Sequence, residues 1–282
     1  MAIVVNTNMS ALMAQKNVYN ATGALGKSMQ KLSTGLRINT AGDDAAGLSL
    51  SEKLKSNINS SDVVKNNALT GINMLQTAEG DLAIIQENLQ RMRDLAVQAA
   101  NGVYSSSERE MLNTEFQTRM SEIDRIGVSS KFSDLALLDG TLTAADLQIG
   151  TDSTINSRID ISTAFTRIAA STIGASGSNF LEDAVITTAA LARTAIDIVD
   201  NAMSTISLKR SNIGATVNRL NSTVTRIDVR KENLSSANSV IRDTDIASET
   251  ANLTKYQILQ QSSSILLKQA NQSTQMALTL LQ

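Results

Sequence analysis

The chain has no cysteine, histidine, tryptophan or proline. Without Cys and His it lacks the commonest zinc ligands, thiol nucleophiles and near-neutral general bases. No disulfide can form, so cysteine usage says nothing about a redox compartment. Aromatic residues are 2% of the total, too few for a base-stacking platform or a dense aromatic core. The formal net charge is only -2, which argues against nucleic acid as a partner. No run of about eighteen apolar residues occurs, so no membrane-spanning helix is expected. The opening MAIVVNTNMSALMAQK lacks the basic leader, long apolar run and cleavage site of a secretory signal. Any passage out of the cell is therefore expected to need no cleavable signal of the usual kind.

What remains is aliphatic and polar. Hydrophobic residues are 42% of 282, supplied by Ala, Leu, Ile, Val and Met. With abundant Gln, Asn, Ser and Thr and no proline, this composition reads as long helices. From Ala189 through Val199, Ile206, Ile213, Leu220 and Ile227 to Ile241, seam residues recur at alternating steps of three and four. The repeat outlasts the three or four heptads that define a coiled coil. As one helix it spans roughly 80 Å at about 1.5 Å per residue. Arg210, Lys231 and Asn238 interrupt this seam, either snorkelling at its edge or specifying register. Ala68, Ile72, Leu75, Leu82, Ile85, Leu89, Met92 and Ala96 keep a similar rhythm over residues 54–100. A turn at AANGVYSSSERE follows. Ser107 is read as the start of a shorter amphipathic helix ending near Gly127. Residues 128–180 carry Asp-Gly and Gly turn signals with short alternating runs, the pattern of one or two β-hairpins.

Both ends are nearly free of acid. Residues 1–42 contain Lys16, Lys27, Lys31 and Arg37, and residues 250–282 contain Lys255 and Lys268, with no Asp or Glu in either stretch. Each is amphipathic, with Leu12, Leu25 and Leu32 at one end and Leu259, Leu266 and Leu280 at the other as candidate packing residues. Helices with so little charge and no core of their own are marginal alone and are expected to order on contact with other chains. The pattern implies an assembly protein.

AGDDAAGLSLSEKL, residues 41–54, offers the adjacent carboxylates Asp43 and Asp44. A hydrolase with a divalent cation is one reading, but a hard cation takes about six oxygen ligands and the stretch supplies two side chains. The other reading is a joint. There Gly42 turns the chain, an aspartate caps the following helix, Gly47 leaves room for a neighbour, and Arg242 of the returning segment, or an arginine of a neighbouring subunit, pairs with one of the aspartates. No cofactor or metal is expected.

KLSTGLRIN (31–39), GDDAAGLS (42–49), LQRMRDLAVQAANG (89–102), ENLSSA (232–237), ILQQ (258–261) and QANQ (269–272) together resemble bacterial flagellin, the filament subunit of the flagellum. The resemblance covers nearly all of residues 1–140 and 190–282. It implies a mainly α fold: a long antiparallel coiled-coil bundle with a small β-hairpin region, and terminal helices that pair as an inner coiled coil in the filament. The implied domains are 1–44 plus 243–282, disordered in the monomer, and 45–242, with no large outer domain. The resemblance also implies a non-enzymatic role in swimming motility, export unprocessed through the flagellar secretion channel to an extracellular filament, and self-association into a helical homopolymer. A secretion chaperone at about 243–282 and the filament cap and hook-junction proteins are its implied partners. An animal Toll-like receptor is a further one, with Arg91, Leu95 and Glu115 matching its contact positions. Some relatives carry O-linked sugars in the region matching 129–178, where Ser and Thr are frequent. A filament-junction or cap-linking protein of the same organelle would share the terminal helices. A chemoreceptor-like signalling coiled coil would need a membrane anchor, and none is expected from a chain without a long apolar run.

Overall fold

The computed structural model describes residues 7–142, 145–175 and 179–279. Among these, the helices are α1 (Met9–Thr34), α2 (Ala45–Ala99), α3 (Ser106–Ser129), α4 (Ala189–Arg242) and α5 (Ile246–Thr279). Four short strands lie between α3 and α4: β1 (Lys131–Phe132), β2 (Leu135–Ala136), β3 (Asp146–Gln148) and β4 (Arg158–Asp160). The fold is mainly helical with a small antiparallel β region, as the sequence pattern predicts. The absence of proline lets α2 and α4 run unbroken for 55 and 54 residues. The chain divides into two compact units. One takes in the chain up to Ile58 and from Glu232 onward; the other spans Asn59–Lys231.

The Asn59–Lys231 unit holds the main core. α4 buries every seventh residue, at Ala192, Val199, Ile206, Ile213, Leu220 and Ile227. These pack in one cluster with Leu75, Leu82, Ile85, Leu89 and Met92 of α2 and with Phe116, Met120 and Ile123 of α3. Each fully buried aliphatic side chain contributes about 1.5–3 kcal/mol. The polar interruptions of the α4 seam all reach α2. Arg210 donates to Glu79 Oε1 and Gln86 Oε1, both at 2.7 Å, and Lys231 Nζ lies 2.6 Å from Asp62. With Lys65–Asp228 at 2.7 Å and Arg93–Asp200 at 2.7 Å, these pairs form an antiparallel ladder. Partly exposed pairs of this kind are worth about 0–1 kcal/mol each. Sliding α4 by one turn would break them together, so their role is register rather than bulk stability. Of the two readings of the interrupted seam, register specification is the one these contacts favour.

α3 begins earlier than the sequence suggests. Ser105, not Ser107, is its cap: the Ser105 hydroxyl accepts from the Glu108 amide while Glu108 Oε2 accepts from the Ser105 amide at 2.7 Å. This reciprocal box fixes the helix start.

The segment between α3 and α4 holds two antiparallel strand pairs. β1 pairs with β2 through a turn with Ser133 at φ 56, and β3 pairs with β4 with Leu147 opposite Ile159. Most of the segment is irregular, because its buried residues, such as Ile161, Ala164, Phe165 and Ile168, do not alternate. Polar side chains of α3 hold its backbone instead. Asp124 accepts from the Ala170 amide at 2.7 Å, Asn113 accepts from the Ile186 amide at 3.0 Å, and Gln117 donates to the Ala184 carbonyl at 3.0 Å.

The other unit is built on α1 and α5, which run antiparallel with Cα atoms within 8 Å of one another. Asn8 caps α1, accepting from the Ala11 amide at 3.1 Å, and its side-chain amide donates to the Ala270 carbonyl at 2.8 Å. At the opposite end of the pair the Ser28 hydroxyl donates to Glu249. The α1 seam runs Ala11, Ala14, Val18, Ala21, Leu25, Ser28 and Leu32, all buried or half-buried; the α5 seam runs Glu249, Leu253, Tyr256, Gln260, Ser263, Leu267 and Ala270. Small residues supply its fully buried positions, Ala14, Ala21, Ser28 and Ser263. Leu25 and Leu32 therefore lie on the seam, half-buried. Leu12, Leu259 and Leu266 do not: they are 60%, 44% and 59% exposed, because each falls one residue out of the heptad phase. Leu280 lies outside the described residues.

Candidate assembly joint and interaction surfaces

The joint between α1 and α2 is tied to the end of α4. α1 stops at Gly35, whose φ of 72 is left-handed and whose amide donates to the Lys31 carbonyl at 2.9 Å. Leu36 then bridges to Asp243. The Arg37 amide donates to the Arg242 carbonyl at 2.6 Å, and its guanidinium donates to the Ile241 carbonyl at 2.6 Å. These bonds satisfy carbonyls that the end of α4 would otherwise leave open. Ile38 is buried against the joint.

The two aspartates do different work. Asp44 Oδ1 accepts from the Gly47 amide at 2.8 Å, capping α2. Asp43 Oδ2 accepts from the Thr40 amide at 3.0 Å, the Asn39 amide at 3.2 Å and the Thr40 hydroxyl at 3.1 Å, closing the 39–43 turn. These bonds, the Thr40 amide foremost, hold the Asp43 carboxyl below its ordinary range. A depressed carboxyl contributes stability that is present above its unfolded value and lost as pH falls through the lower folded value. An NMR titration of Asp43 is expected to show a midpoint below the ordinary 3.8. A midpoint at or above that value would mean that the turn does not hold the carboxylate.

The expected pair between Arg242 and an aspartate is not made within the chain. Arg242 Nη1 donates to Glu52 Oε1 at 2.6 Å and lies 3.4 Å from the Ser51 hydroxyl. Both aspartates are committed to local amides, and Glu52, one turn or more into α2, is the carboxylate within reach. Ser51 itself donates to Asn238 at 2.7 Å. Arg242 Nε is buried and has no hydrogen-bond partner among the described residues, a cost of about 1–3 kcal/mol that a further acceptor would relieve. Gly47 is required by its own chain: a Cβ there would meet Ile38 Cδ1 at 2.8 Å and would lie still closer to the Asp44 carboxylate. Sequence reasoning missed Glu52, Ser51 and the grip of Arg37. Only the polar Asn238 at a seam position signalled a partner.

Arg91 and Glu115 form a two-pronged ion pair, Nε–Oε1 at 2.9 Å and Nη2–Oε2 at 3.2 Å, with Arg119 3.9 Å from Glu115. The Arg91 hydrogen bonds are the main reason the Glu115 carboxyl sits below its ordinary range. Leu95, expected on the same surface, is 0% exposed. It belongs to the α2 stripe with Met92, Ala96 and Ala99, and it packs in the core shared with α3.

The α1/α5 pair carries a third surface. Met13, Tyr19, Ile258, Leu259, Ile265 and Leu266 stand exposed. Two shallow grooves lie along the pair. One, of about 470 Å³, is lined by Val18, Gln260, Ser264 and Ile265; the other, of about 430 Å³, by Met13, Ala14, Leu266 and Ala270. Among the described residues no group of three Asp or Glu side chains converges as metal ligands, and no helix is long and apolar enough to cross a membrane.

A register-locked helical bundle joined to a helix pair that exposes several large aliphatic side chains is the architecture of a self-associating structural protein. Comparison with known proteins gives the family. The model of the bacterial flagellin N-terminal helical region matches residues 5–143, and that of the C-terminal helical region matches residues 196–281. The flagellin of Halalkalibacterium halodurans is 40% identical over 284 residues, covering 99% of this chain and 100% of that protein. The flagellar filament 33 kDa core protein of Treponema phagedenis is 39% identical over 289 residues, covering 99% and 100%. A solved flagellar protein structure from Vibrio parahaemolyticus, at 16% identity, has a TM-score of 0.55 and covers 71% of this chain and 97% of that one; it shows the fold alone. The chain belongs to the bacterial flagellin family, whose members are structural subunits of the extracellular flagellar filament and not enzymes.

Proposed function

We propose that this subunit polymerises through its α1/α5 pair, the exposed aliphatic faces of one copy seating on those of the next. The observation that carries this is the exposure of large apolar side chains, from Tyr19 at 80% to Leu259 at 44%, on helices that hold no acid between Met9 and Thr34 or after Glu249. Surfaces this apolar mark an interaction site, and a contact whose rotation does not close builds a helical filament. In the free subunit the fully buried positions of the pair are only Ala14, Ala21, Ser28 and Ser263, so the two terminal helices order on docking while the rest remains folded. Electron microscopy of the purified chain after salting-out tests the reading: long uniform filaments are expected, and their absence would sink it.

Export follows through the flagellar secretion channel without cleavage. A secretion chaperone covers α5 within about 243–282 until assembly, and cap and hook-junction proteins meet the filament ends. The exposed Ile258, Ile265 and Leu266 are what a chaperone would shield. Undiminished chaperone binding by a chain ending at Arg242 would refute that role. The Arg91–Glu115 surface is the contact for an animal Toll-like receptor on the free subunit, with Leu95 acting only through packing.

A further inference from the structure

We infer that Asn101–Gly102 is a spontaneous modification site, at which the Asn101 side chain deamidates through a cyclic imide to aspartate and isoaspartate. The Gly102 backbone nitrogen, once it gives its proton to hydroxide, attacks Asn101 Cγ. The bond from Cγ to the side-chain nitrogen breaks, and that nitrogen leaves as ammonia. Water then opens the five-membered imide at either carbonyl. Attack at Cγ leaves aspartate. Attack at the main-chain carbonyl leaves isoaspartate, with the chain running through Cβ. One amide and water become a carboxylate and ammonia, with no change of oxidation state and no co-reactant.

Three features of the turn favour this step. Asn101 and Gly102 are both exposed, between the end of α2 and the Ser105 cap of α3. Asn101 Oδ1 accepts from the Val103 amide at 3.3 Å, which folds the side chain over the following peptide and polarises the carbonyl under attack. The Ala100 and Asn101 amides are tied back to Ala96 and Gln98 at 2.9 and 3.1 Å, but among the described residues no acceptor holds the Gly102 amide. The nucleophile is therefore unengaged, and its attack on Cγ closes a five-membered ring within the same stretch of chain. A Cβ added at Gly102 would meet nothing within 4 Å, so the surroundings leave room for the imide ring.

The other candidate pairs are blocked. Asn59–Ser60, Asn221–Ser222 and Asn238–Ser239 lie inside α2 or α4, where the following amide is bound in the helix, and in Asn156–Ser157 the Ser157 amide donates to the Thr154 carbonyl at 3.0 Å. Asp139–Gly140 could form the same imide. However, the Asp139 carboxylate accepts from the Thr141 amide and hydroxyl at 2.8 and 2.7 Å, bonds that keep it ionised and a poor electrophile. The modification matters locally because Arg109 donates to the Ala99 carbonyl at 2.9 Å and to the Asn101 carbonyl at 3.0 Å. An isoaspartate turns the second of these carbonyls into a free carboxylate beyond the C-terminal end of α2, so the clasp between α2 and α3 is remade as the subunit ages.

The test is peptide mass mapping of the purified full-length chain held at mildly alkaline pH, with enzymatic methylation of isoaspartate as the second readout. Isoaspartate is expected in the peptide holding Asn101, faster at higher pH. Gly102→Ala is expected to slow its appearance at least about tenfold with an unchanged circular dichroism spectrum. Aspartate without isoaspartate, an undiminished rate in Gly102→Ala, or equal conversion of the helical Asn–Ser pairs would each overturn the inference.

Discussion

Replacing Leu259 and Leu266 by Asn is expected to abolish polymerisation under conditions where the parent chain forms filaments, while the thermal unfolding of the Asn59–Lys231 unit stays unchanged. Both side chains are exposed on α5, so the single subunit loses no packing when they are cut. A leucine transferred from water into a contact contributes about 1.5–3 kcal/mol, so two contribute about 3–6 kcal/mol per subunit. At 1.4 kcal/mol per tenfold, the critical concentration for assembly rises about 10²- to 10⁴-fold. Sedimentation of filaments against total protein concentration measures this. A control pair on the seam, Ala14→Gly and Ala21→Gly, acts on the subunit itself by loosening α1. Normal assembly by the double asparagine variant would show that the outward leucines are not the contact, and would move the assembly surface to another face.

The particular residues show which parts of this molecule can be read from the sequence. The α4 core was visible because a fully buried heptad position repeats from Ala192 to Ile227 with little to disguise it. The polar breaks in that seam were visible too, but only as breaks. Nothing local says that Arg210 meets Glu79 and Gln86, or that Lys231 meets Asp62, because the partners lie far away along the chain. The terminal seam misled for an energetic reason. Leucine has a large transfer free energy, so an amphipathic reading assigns Leu12, Leu259 and Leu266 to the interface. The seam phase falls one residue away from these three leucines, and alanine and serine occupy its fully buried positions. Helices that leave Leu12, Leu259 and Leu266 outside have a second surface to cover, and that arrangement is legible only once the first seam is known. The 128–180 region carried hairpin signals that produced two very short strand pairs. Its remaining backbone bonds are turn and loop contacts such as the Ile168 amide on the Leu138 carbonyl, with the Ala170 amide held by Asp124 of α3, and no periodicity records these. At the joint, capping followed from an Asp before a small-residue helix start, whereas the Arg242–Glu52 contact depended on where the returning chain crosses α2.

Arg91 and Leu95 are four residues apart on α2, so sequence alone places them on one face, and a loss of receptor signalling in either variant would look the same. The structure separates them. Leu95→Ala empties a fully buried site and is expected to cost about 2–5 kcal/mol, seen as a lower midpoint in urea unfolding. Arg91→Ala removes one partner of an exposed pair and is expected to cost no more than about 1 kcal/mol. If the receptor reads this surface, Arg91→Ala lowers signalling by monomeric protein with the fold intact. Leu95→Ala then lowers it only to the extent that the bundle unfolds. The deciding variant is Leu95→Met, which conserves core volume at a cost below about 1.5 kcal/mol and alters nothing outside. It is expected to signal as the parent does. A signalling defect in Leu95→Met with an unchanged unfolding curve would mean that the receptor reaches a side chain now fully buried in the core, which requires the bundle to open on binding.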